Sequence, residues 1–306
     1  MKSIFVYNPE SGKSLVVKYK DYILKKLSKQ FGEIDCVATT HAGHAKELAS
    51  DACGKYDYFF IAGGDGTLNE VINGMGSNEE KPIIGYIPTG TVNDIARSIG
   101  ISRNLKKAVK NILEGEPFEH DIFRLNRRYG IYVCCTGLFT KASYDTQRYN
   151  KKKYGKAAYF NHAVKEIQET KPTHIKLEIN GETIEKNCGL VLILNSRSVA
   201  GFPINKHADL NDGEVEVVLF HSPHKNIHFN DISIIFKAFA FGIDSVKKHP
   251  AVSYFKASKF KITTEDGTVI NLDGEKSDEG SFNFTVLQKA VKIIAPKKAH
   301  KAKKKI

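Results

Sequence analysis

The most informative segment of this chain reads Ile61-Ala62-Gly63-Gly64-Asp65-Gly66-Thr67-Leu68-Asn69-Glu70-Val71. The apolar residues 58–61 predict a buried strand, and the apolar spacing that follows Thr67 predicts an amphipathic helix. Glycines between a strand and a helix N-terminus let backbone N–H groups approach an anion, which the helix dipole also attracts. Asp65 is unusual in an anion site unless a cation is shared with the ligand, so it indicates Mg²⁺ or a reacting phosphoryl group. A tight turn with a capping aspartate is the alternative.

Short apolar strands alternate with amphipathic helices over the first 120 residues. We predict strands over 2–7, 34–38, 57–61 and 83–87, and helices over 15–31, 43–52, 67–75, 92–98 and 104–114. This alternation is typical of a doubly wound α/β domain with a parallel sheet. Ligands of such sheets bind beyond the carboxyl ends of the strands, where each glycine-rich turn of this chain falls.

The chain becomes rich in β-branched and aromatic residues after about residue 120. We predict strands over 122–126, 130–135, 174–179, 189–195, 214–220, 259–264, 268–272, 281–287 and 290–295, with helices near 157–169 and 230–243. Asn180-Gly181 and Asp266-Gly267 are hairpin signals. The pattern predicts a mostly antiparallel, sandwich-like second domain. The very apolar stretch 232–241 is either a packed helix or one wall of an acyl-chain pocket.

The composition limits the class of protein. A chain of 306 residues is long enough for two domains, and it has no apolar run of the roughly 20 residues that span a bilayer. The five cysteines include no CxxC pair, so we expect reduced thiols, no zinc site and a cytoplasmic protein.

The net charge of the chain is +12. Part of it lies in the lysine-rich tail 297–306, which we expect to be disordered, and part in the segment 148–156, where it is mixed with tyrosines. That segment is a solvated loop or a contact with an anionic membrane surface, and nucleic acid is not expected because no binding motif accompanies it.

Two more turns repeat the pattern of the first. The segment 88–97, Pro-Thr-Gly-Thr-Val-Asn-Asp-Ile-Ala-Arg, follows the strand 83–87 and again offers backbone donors and an aspartate at a helix start. The segment 8–13, Asn-Pro-Glu-Ser-Gly-Lys, follows the first strand but lacks the spacing of a Walker P-loop. Capping explains one such turn, but two turns with an acidic residue on successive strands favour a phosphate site.

These motifs resemble the diacylglycerol kinase catalytic domain family, which includes bacterial lipid kinases and the sphingosine and ceramide kinases. The resemblance extends over nearly the whole chain. Its further motifs are Gly137-Leu138-Phe139-Thr140, Ser143-Tyr144, Lys153-x-Gly155-Lys156-x-Ala158-Tyr159, Ala208-Asp209-Leu210-Asn211-Asp212-Gly213 and Asp273-Gly274-Glu275. The resemblance implies an α/β plus mainly-β fold: a phosphofructokinase-like ATP-binding α/β domain over 1–122, joined by a returning segment near 287–296, and a β-sandwich lipid domain over 123–286.

The resemblance also implies which residues contact ATP. The expected contacts are Asn8, Pro9, Glu10, Ser11, Gly12, Thr40, Gly63, Gly64, Asp65, Gly66, Thr67, Leu68, Asn69, Glu70, Gly90, Thr91 and Asn93. Asp65, Asp94 and Asp121 are expected to hold the catalytic Mg²⁺ directly or through water, with Asp65 serving the metal rather than a helix. For Asp121 a plain surface aspartate is the alternative.

The Asp273-Gly274-Glu275 motif supplies the carboxylates that accept the proton of the attacking hydroxyl. We expect Glu275 to be the general base and Asp273 to support it or the metal, although the sequence does not order them. Asp209, Asp212 and the backbone carbonyl of Glu214 resemble a structural Mg²⁺ site of related bacterial enzymes, and a metal-free turn is the alternative.

The predicted activity is transfer of the γ-phosphoryl group of ATP to a lipid hydroxyl, with diacylglycerol as the preferred acceptor and phosphatidic acid as the product. The stretch 133–137, Val-Cys-Cys-Thr-Gly, departs from the family pattern and leaves other acceptors open: phosphatidylglycerol, a sphingoid base or undecaprenol. An NAD kinase and a silent lipid-binding regulator are more remote alternatives. The enzyme is expected at the inner face of the cell membrane, where it binds an anionic surface transiently, and the resemblance is compatible with a homodimer.

Overall fold

The computed structural model describes residues 1–11, 15–138, 171–265, 267–297 and 299. The first part of the chain alternates strands and helices. Its elements are β1 (Ser3–Tyr7), α1 (Leu15–Phe31), β2 (Ile34–Ala38), α2 (His44–Ala52), β3 (Tyr58–Gly63), α3 (Asp65–Met75), β4 (Ile83–Pro88), α4 (Asp94–Ser98) and α5 (Leu105–Glu114). The helix after the glycine turn thus begins at Asp65, two residues before the predicted start.

The strands of this part pair in parallel in the order β2-β1-β3-β4. Phe59, Phe60 and Ile61 of β3 are all fully buried, as expected for a parallel strand that is covered on both faces. The stripe Val16, Ile23, Leu27 and Phe31 of α1 is also buried, which places that helix against the sheet. The predicted doubly wound α/β domain is confirmed.

The second part is mainly β. Its elements are β5 (Glu116–Leu125), β6 (Arg128–Gly130), β7 (Val133–Gly137), β8 (Thr173–Ile179), β9 (Glu182–Leu194), β10 (Val215–His221), α6 (Phe229–Phe241), a 3-10 helix (Ile243–Ser245), β11 (Val252–Ala257), β12 (Lys259–Thr264), β13 (Val269–Leu272), β14 (Glu275–Glu279) and β15 (Phe282–Ala295). The pairs of β7, β8, β10 and β13 are all antiparallel. β8 and β9 form the hairpin predicted at Asn180-Gly181, with positive φ at both residues. The predicted β-sandwich class is confirmed.

The last strand runs through both parts of the fold. Residues 282–285 of β15 pair with β12, whereas Ile293 pairs in parallel with Ile84 of β4. We expected two strands over 281–287 and 290–295, but the structure has one strand with a register shift between Leu287 and Val291 against β5. Lys289 lies in that bulge with φ at 52°. The boundary at 122/123 stays a prediction.

Several predictions fall outside the described residues. They are Gly12, the motifs between 139 and 159, the basic segment 148–156, the helix near 157–169, the Asp266 half of one hairpin signal, and 298 and 300–306 of the tail. In the part of the chain that the structure describes, no helix has the length and apolarity needed to cross a membrane.

Candidate active site

The carboxyl ends of β1, β3 and β4 meet at one edge of the parallel sheet. The loop after β1 reaches the loop after β4, since the Ser11 and Thr89 hydroxyls are 2.8 Å apart. The turns after β3 and β4 also touch, because a Cβ added to Gly90 would lie 2.6 Å from the Cα of Gly64. Any side chain at Gly90 would force these backbones apart. The described part of the loop after β1 and the two glycine turns after β3 and β4 therefore form one surface.

The turn after β3 places the N-terminus of α3 at this surface. A Cβ on Gly63 would lie 2.5 Å from the Cβ of Thr67, so only glycine lets the helix begin so close to the strand. The first N–H groups of a helix lack intrahelical partners and face outward, where they attract phosphate. The turn has the backbone geometry of an anion site.

Asp65 lies between α3 and α4. Its Oδ2 accepts the N–H of Asp94 at 3.1 Å and its Oδ1 accepts the N–H of Ile95 at 3.4 Å. Asp65 thus caps α4, and its side chain makes no capping hydrogen bond to its own helix α3. The expected metal role of Asp65 stays a prediction. Burial raises the pKa of Asp65 to about 6, those N–H groups lower it, and the charge of Asp94 raises it. A cation beside both carboxylates would favour their ionised forms.

Asp94 joins the two parts of the fold. Its Oδ1 accepts the Ser198 hydroxyl at 2.6 Å and the Gly201 N–H at 2.9 Å, both from the loop between β9 and β10. Asp94 is 1% exposed. A carboxylate has about four lone-pair sites, so Asp94 can still bind a cation or its water.

Asp273 is buried and surrounded by donors. Its Oδ2 accepts the side-chain amide of Asn69 and the N–H of Ile131, each at 2.7 Å, and its Oδ1 accepts the N–H groups of Tyr132 and Val133 at 3.0 and 2.9 Å. Burial raises the pKa of Asp273 to about 6 against the lowering effect of these hydrogen bonds. Asp273 therefore fixes the start of β7.

Glu275 faces the glycine turn. A Cβ on Gly66 would lie 3.8 Å from its Oε1, while its Oε2 accepts a 3.2 Å hydrogen bond from Arg128. Arg128 also donates to the carbonyl of Lys276 at 2.7 Å, which fixes its guanidinium. The Glu275 side chain is 49% exposed, so a hydroxyl group can reach it. A half-exposed carboxylate beside a phosphate-type turn is placed to accept a proton.

Asp121 lies in a different place from Asp65 and Asp94. Its Oδ1 accepts the Lys289 N–H at 2.6 Å and its Oδ2 accepts the Gly213 N–H at 2.7 Å. Burial raises its pKa, and among its charged neighbours Asp212 and Asp209 raise it further. The structure thus brings Asp121 to the 209–214 turn.

The 209–214 turn contains oxygen donors of the kind that Mg²⁺ prefers. Asp212 accepts the Glu214 N–H at 3.1 Å and pairs with Lys256 at 3.3 Å. The buried Oδ1 of Asn211 has no hydrogen-bond partner among the described residues. No group of three acidic, His or Cys side chains in the described part is preformed for a metal. The carboxylates and the unpartnered oxygen fit a divalent cation that also uses backbone carbonyls and water.

Three of the remaining predicted nucleotide contacts lie at the start of α2 or in the loop after β1. Glu70 caps α2 by accepting the N–H groups of Gly43 and Ala45 at 3.0 and 3.2 Å. Thr40 lies beside that helix start, with its hydroxyl 3.1 Å from Nδ1 of His44. The Asn8 side chain accepts the Glu10 N–H at 2.9 Å, which shapes the loop after β1.

Other predicted contacts have a structural use. Asn93 closes the turn after β4 by bonding both backbone groups of Gly90, at 3.0 and 2.7 Å, and the carbonyl of Thr91 accepts a 2.7 Å hydrogen bond from Arg103. Leu68 is fully buried in the core, so its side chain does not face a ligand.

Sequence reasoning missed Arg128, Tyr132 and Ser198. Burial raises the pKa of the Tyr132 hydroxyl, and the charges of Asp273, Asp65 and Asp94 raise it further. The Tyr132 hydroxyl oxygen would be 3.5 Å from a Cβ on Gly274, between Asp273 and Glu275 in the sequence. No local motif marks these residues, because each reaches the site from a distant strand or loop.

Comparisons with known proteins agree with this geometry. Residues 2–125 match the diacylglycerol kinase catalytic domain, and residues 133–295 match the YegS C-terminal NAD kinase beta sandwich-like domain. A protein of Staphylococcus carnosus named diacylglycerol kinase is 32% identical over 294 residues, which cover 95% of this chain and 94% of the relative. One of Bacillus subtilis with the same name is 30% identical over 307 residues, which cover 95% of each. This chain belongs to the diacylglycerol kinase catalytic domain family.

Solved structures support the fold. The crystal structure of a diacylglycerol kinase from Bacillus anthracis str. Sterne has a TM-score of 0.80 to this chain at 22% identity, over 97% of this chain and 98% of that one. Membership of the diacylglycerol kinase family makes the chain an ATP-dependent kinase, and a lipid kinase at the level of the family. The resemblance drawn from the glycine turns is therefore confirmed.

Proposed function

We propose that this enzyme transfers the γ-phosphoryl group of ATP to the free hydroxyl of diacylglycerol and produces phosphatidic acid. The observation that carries the proposal is the position of Glu275, whose Oε1 lies beside Gly66 of the phosphate-type turn. The relatives named diacylglycerol kinase, which match along 95% of the chain, favour this acceptor.

The turns after β3 and β4 would bind the phosphates through backbone N–H groups. Phosphoryl transfer depends on positioning and on neutralising charge more than on covalent chemistry. The lipid hydroxyl oxygen attacks the γ-phosphorus, its proton passes to Glu275, and the bond to the β-phosphate oxygen breaks to release ADP. Arg128 orients Glu275 for this step through their 3.2 Å contact.

Asp65 and Asp94 would hold Mg²⁺ at the phosphates, where the cation would neutralise the charge of the phosphoryl oxygens. The 3.1 Å hydrogen bond from the Asp94 N–H to Oδ2 of Asp65, which makes the two residues neighbours, supports this pairing. Asp121, Asp209 and Asp212 would hold a second cation that orders the turn beside β15. We propose a structural role for this second cation.

The test uses radiolabelled ATP and mixed micelles that contain diacylglycerol, monoacylglycerol, phosphatidylglycerol, ceramide, sphingosine or undecaprenol. We expect labelled phosphatidic acid, and little or no label in Asp65→Ala or Glu275→Ala. Glu182→Gln is the matched control, because Glu182 is exposed on the β8–β9 hairpin. Label in another lipid would reassign the acceptor, and no labelled lipid from any acceptor would reject the function.

A further inference from the structure

Four phenylalanine side chains are exposed on α6 and on the loop that packs against it. Phe202, Phe229, Phe236 and Phe241 are 50%, 77%, 45% and 70% exposed. Phenylalanine is normally buried, and a cluster of exposed rings marks a surface that binds something. We call these four residues the phenylalanine patch.

Helix α6 is apolar on two faces. Ile232, Ile235 and Ala238 are buried against the protein. Phe229 and Phe236 are seven residues apart, so they lie on one stripe that points to solvent. The rest of the protein covers only the face of α6 that carries Ile232, Ile235 and Ala238.

A tight turn fixes Phe202 next to this helix. Val199 and Phe202 exchange backbone hydrogen bonds of 3.0 and 2.9 Å across Ala200 and Gly201, whose φ angles are 52° and 85°. Alanine rarely adopts a positive φ, so this loop holds its shape at some cost. The Phe202 ring packs edge-on against Phe239 of α6, with 5.8 Å between the centroids. The patch is therefore a preformed surface.

The patch is joined to the active site. Gly201, next to Phe202, donates its N–H to Asp94, and a Cβ on Gly201 would lie 3.8 Å from Val92 in the turn after β4. A molecule that binds the patch therefore lies beside the edge of the phosphate-type turns.

The segments that carry the patch also carry lysines, one of them directly after Phe236. Lys206, Lys237 and Lys248 are exposed and have no ion-pair partner within the described residues, and the whole chain carries +12. Aromatic rings interleaved with lysines are typical of helices that lie in the interface of an anionic membrane, where nearby lysines add electrostatic attraction.

We propose that the phenylalanine patch inserts into the interface of an anionic lipid membrane and holds the active site over its lipid substrate. The inference rests on the proposed function, because a kinase whose acceptor is a membrane lipid must bring Asp94 and Glu275 to the bilayer surface. A second copy of the chain is the competing occupant.

The chain has no tryptophan, so a single introduced one reports on its own surroundings. We compare Phe236→Trp with Val17→Trp, since Val17 is 50% exposed on α1 away from the patch. With vesicles of phosphatidylglycerol and phosphatidylcholine, we expect a blue shift and quenching by brominated lipid for Phe236→Trp alone. Unchanged emission of Phe236→Trp, or an equal shift for Val17→Trp, would overturn the proposal.

A second measurement separates this proposal from the function. Vesicle sedimentation should show binding weakened by roughly tenfold or more in Phe236→Ser, because a buried ring is lost from the interface. Activity on vesicle-embedded diacylglycerol should fall at least tenfold more than activity on monomeric dioctanoylglycerol. If the wild-type protein binds vesicles but phosphorylates no lipid, the proposed function is rejected and the membrane role of the patch is retained. If Phe236→Ser binds vesicles as well as wild type but no longer forms a dimer in sedimentation velocity, the patch binds a second copy of the chain instead.

Discussion

The side-chain amide of Asn69 donates a 2.7 Å hydrogen bond to Oδ2 of Asp273, 204 positions further along the chain. Asn69 belongs to the helix that starts at the phosphate-type turn, and Asp273 precedes the proposed base. The contact therefore fixes the phosphate-type turn relative to the segment that carries the proposed base.

The Asp273→Asn variant should be strongly destabilised. Its new NH₂ group would face N–H donors of residues 131–133 or of Asn69, which leaves buried donors unpaired at a cost of about 2–4 kcal/mol in the free energy of unfolding. Urea unfolding at pH 7 measures the change. Asp244→Asn, which removes an exposed ion pair with Lys247, should cost under about 1 kcal/mol. Equal stability of the two variants would contradict the role of Asp273.

The Tyr132→Phe variant tests a residue that sequence reasoning missed. Within the described residues its hydroxyl has no hydrogen-bond partner, and it would be 3.5 Å from a Cβ on Gly274, between Asp273 and Glu275 in the sequence. Removing the hydroxyl should leave the unfolding free energy nearly unchanged, because no protein hydrogen bond is lost. We expect kcat to fall roughly tenfold, as when a donor to the reacting groups is removed. A stability loss without a change in kcat would assign Tyr132 to packing.

Arg128 should act through Glu275. Arg128→Met removes the 3.2 Å contact, so we expect a roughly tenfold lower kcat with little change in the KM for ATP. The pair is partly exposed, so the stability change should stay under about 1 kcal/mol. The decisive comparison is the double variant with Glu275→Gln: if Arg128 only orients the base, the double variant is no slower than Glu275→Gln alone. Additive losses would show that Arg128 has a separate role.

Local patterns predicted the fold class and the parts of the site that are local in sequence. The strand, glycine turn and helix around Asp65 were predictable, because burial period and backbone freedom are properties of neighbouring residues. The Asn180-Gly181 hairpin was predictable for the same reason.

Partners across the fold were not predictable. The contact of Asn69 with Asp273, and the position of Asp121 at the 209–214 turn, depend on strand register and on how the two parts pack. A periodic pattern tells which face of a strand is buried, but it does not tell which distant segment covers that face. The single long β15 was read as two strands because the bulge at Lys289 interrupts the alternation.

His120 should make the protein sensitive to acid. It is buried, its Nδ1 donates to the carbonyl of Asp121 at 2.6 Å, and burial lowers its pKa to about 4. The unfolded chain binds this proton near pH 6.5, so the neutral imidazole contributes stability above pH 6.5 that is lost as the pH falls towards 4, up to about 3 kcal/mol. The difference in the free energy of unfolding between His120→Gln and wild type, measured with urea, should therefore shift in favour of the variant by up to about 3 kcal/mol from pH 7 to pH 4. His207→Gln is the exposed control, and a parallel pH dependence of all three proteins would contradict the prediction.

The 209–214 turn should respond to Mg²⁺ even without nucleotide. A cation that binds only the folded state adds about 2.7 kcal/mol at 100 times its dissociation constant, so the melting temperature should rise with Mg²⁺ and fall with EDTA. Asp212→Asn removes a carboxylate of this turn and should lose the response, whereas Asp65→Asn should keep it. Lys256 already pairs with Asp212 at 3.3 Å and with the buried Glu216 at 3.5 Å. If Mg²⁺ and EDTA leave the wild-type melting temperature unchanged, this lysine alone neutralises the turn and the structural cation is rejected.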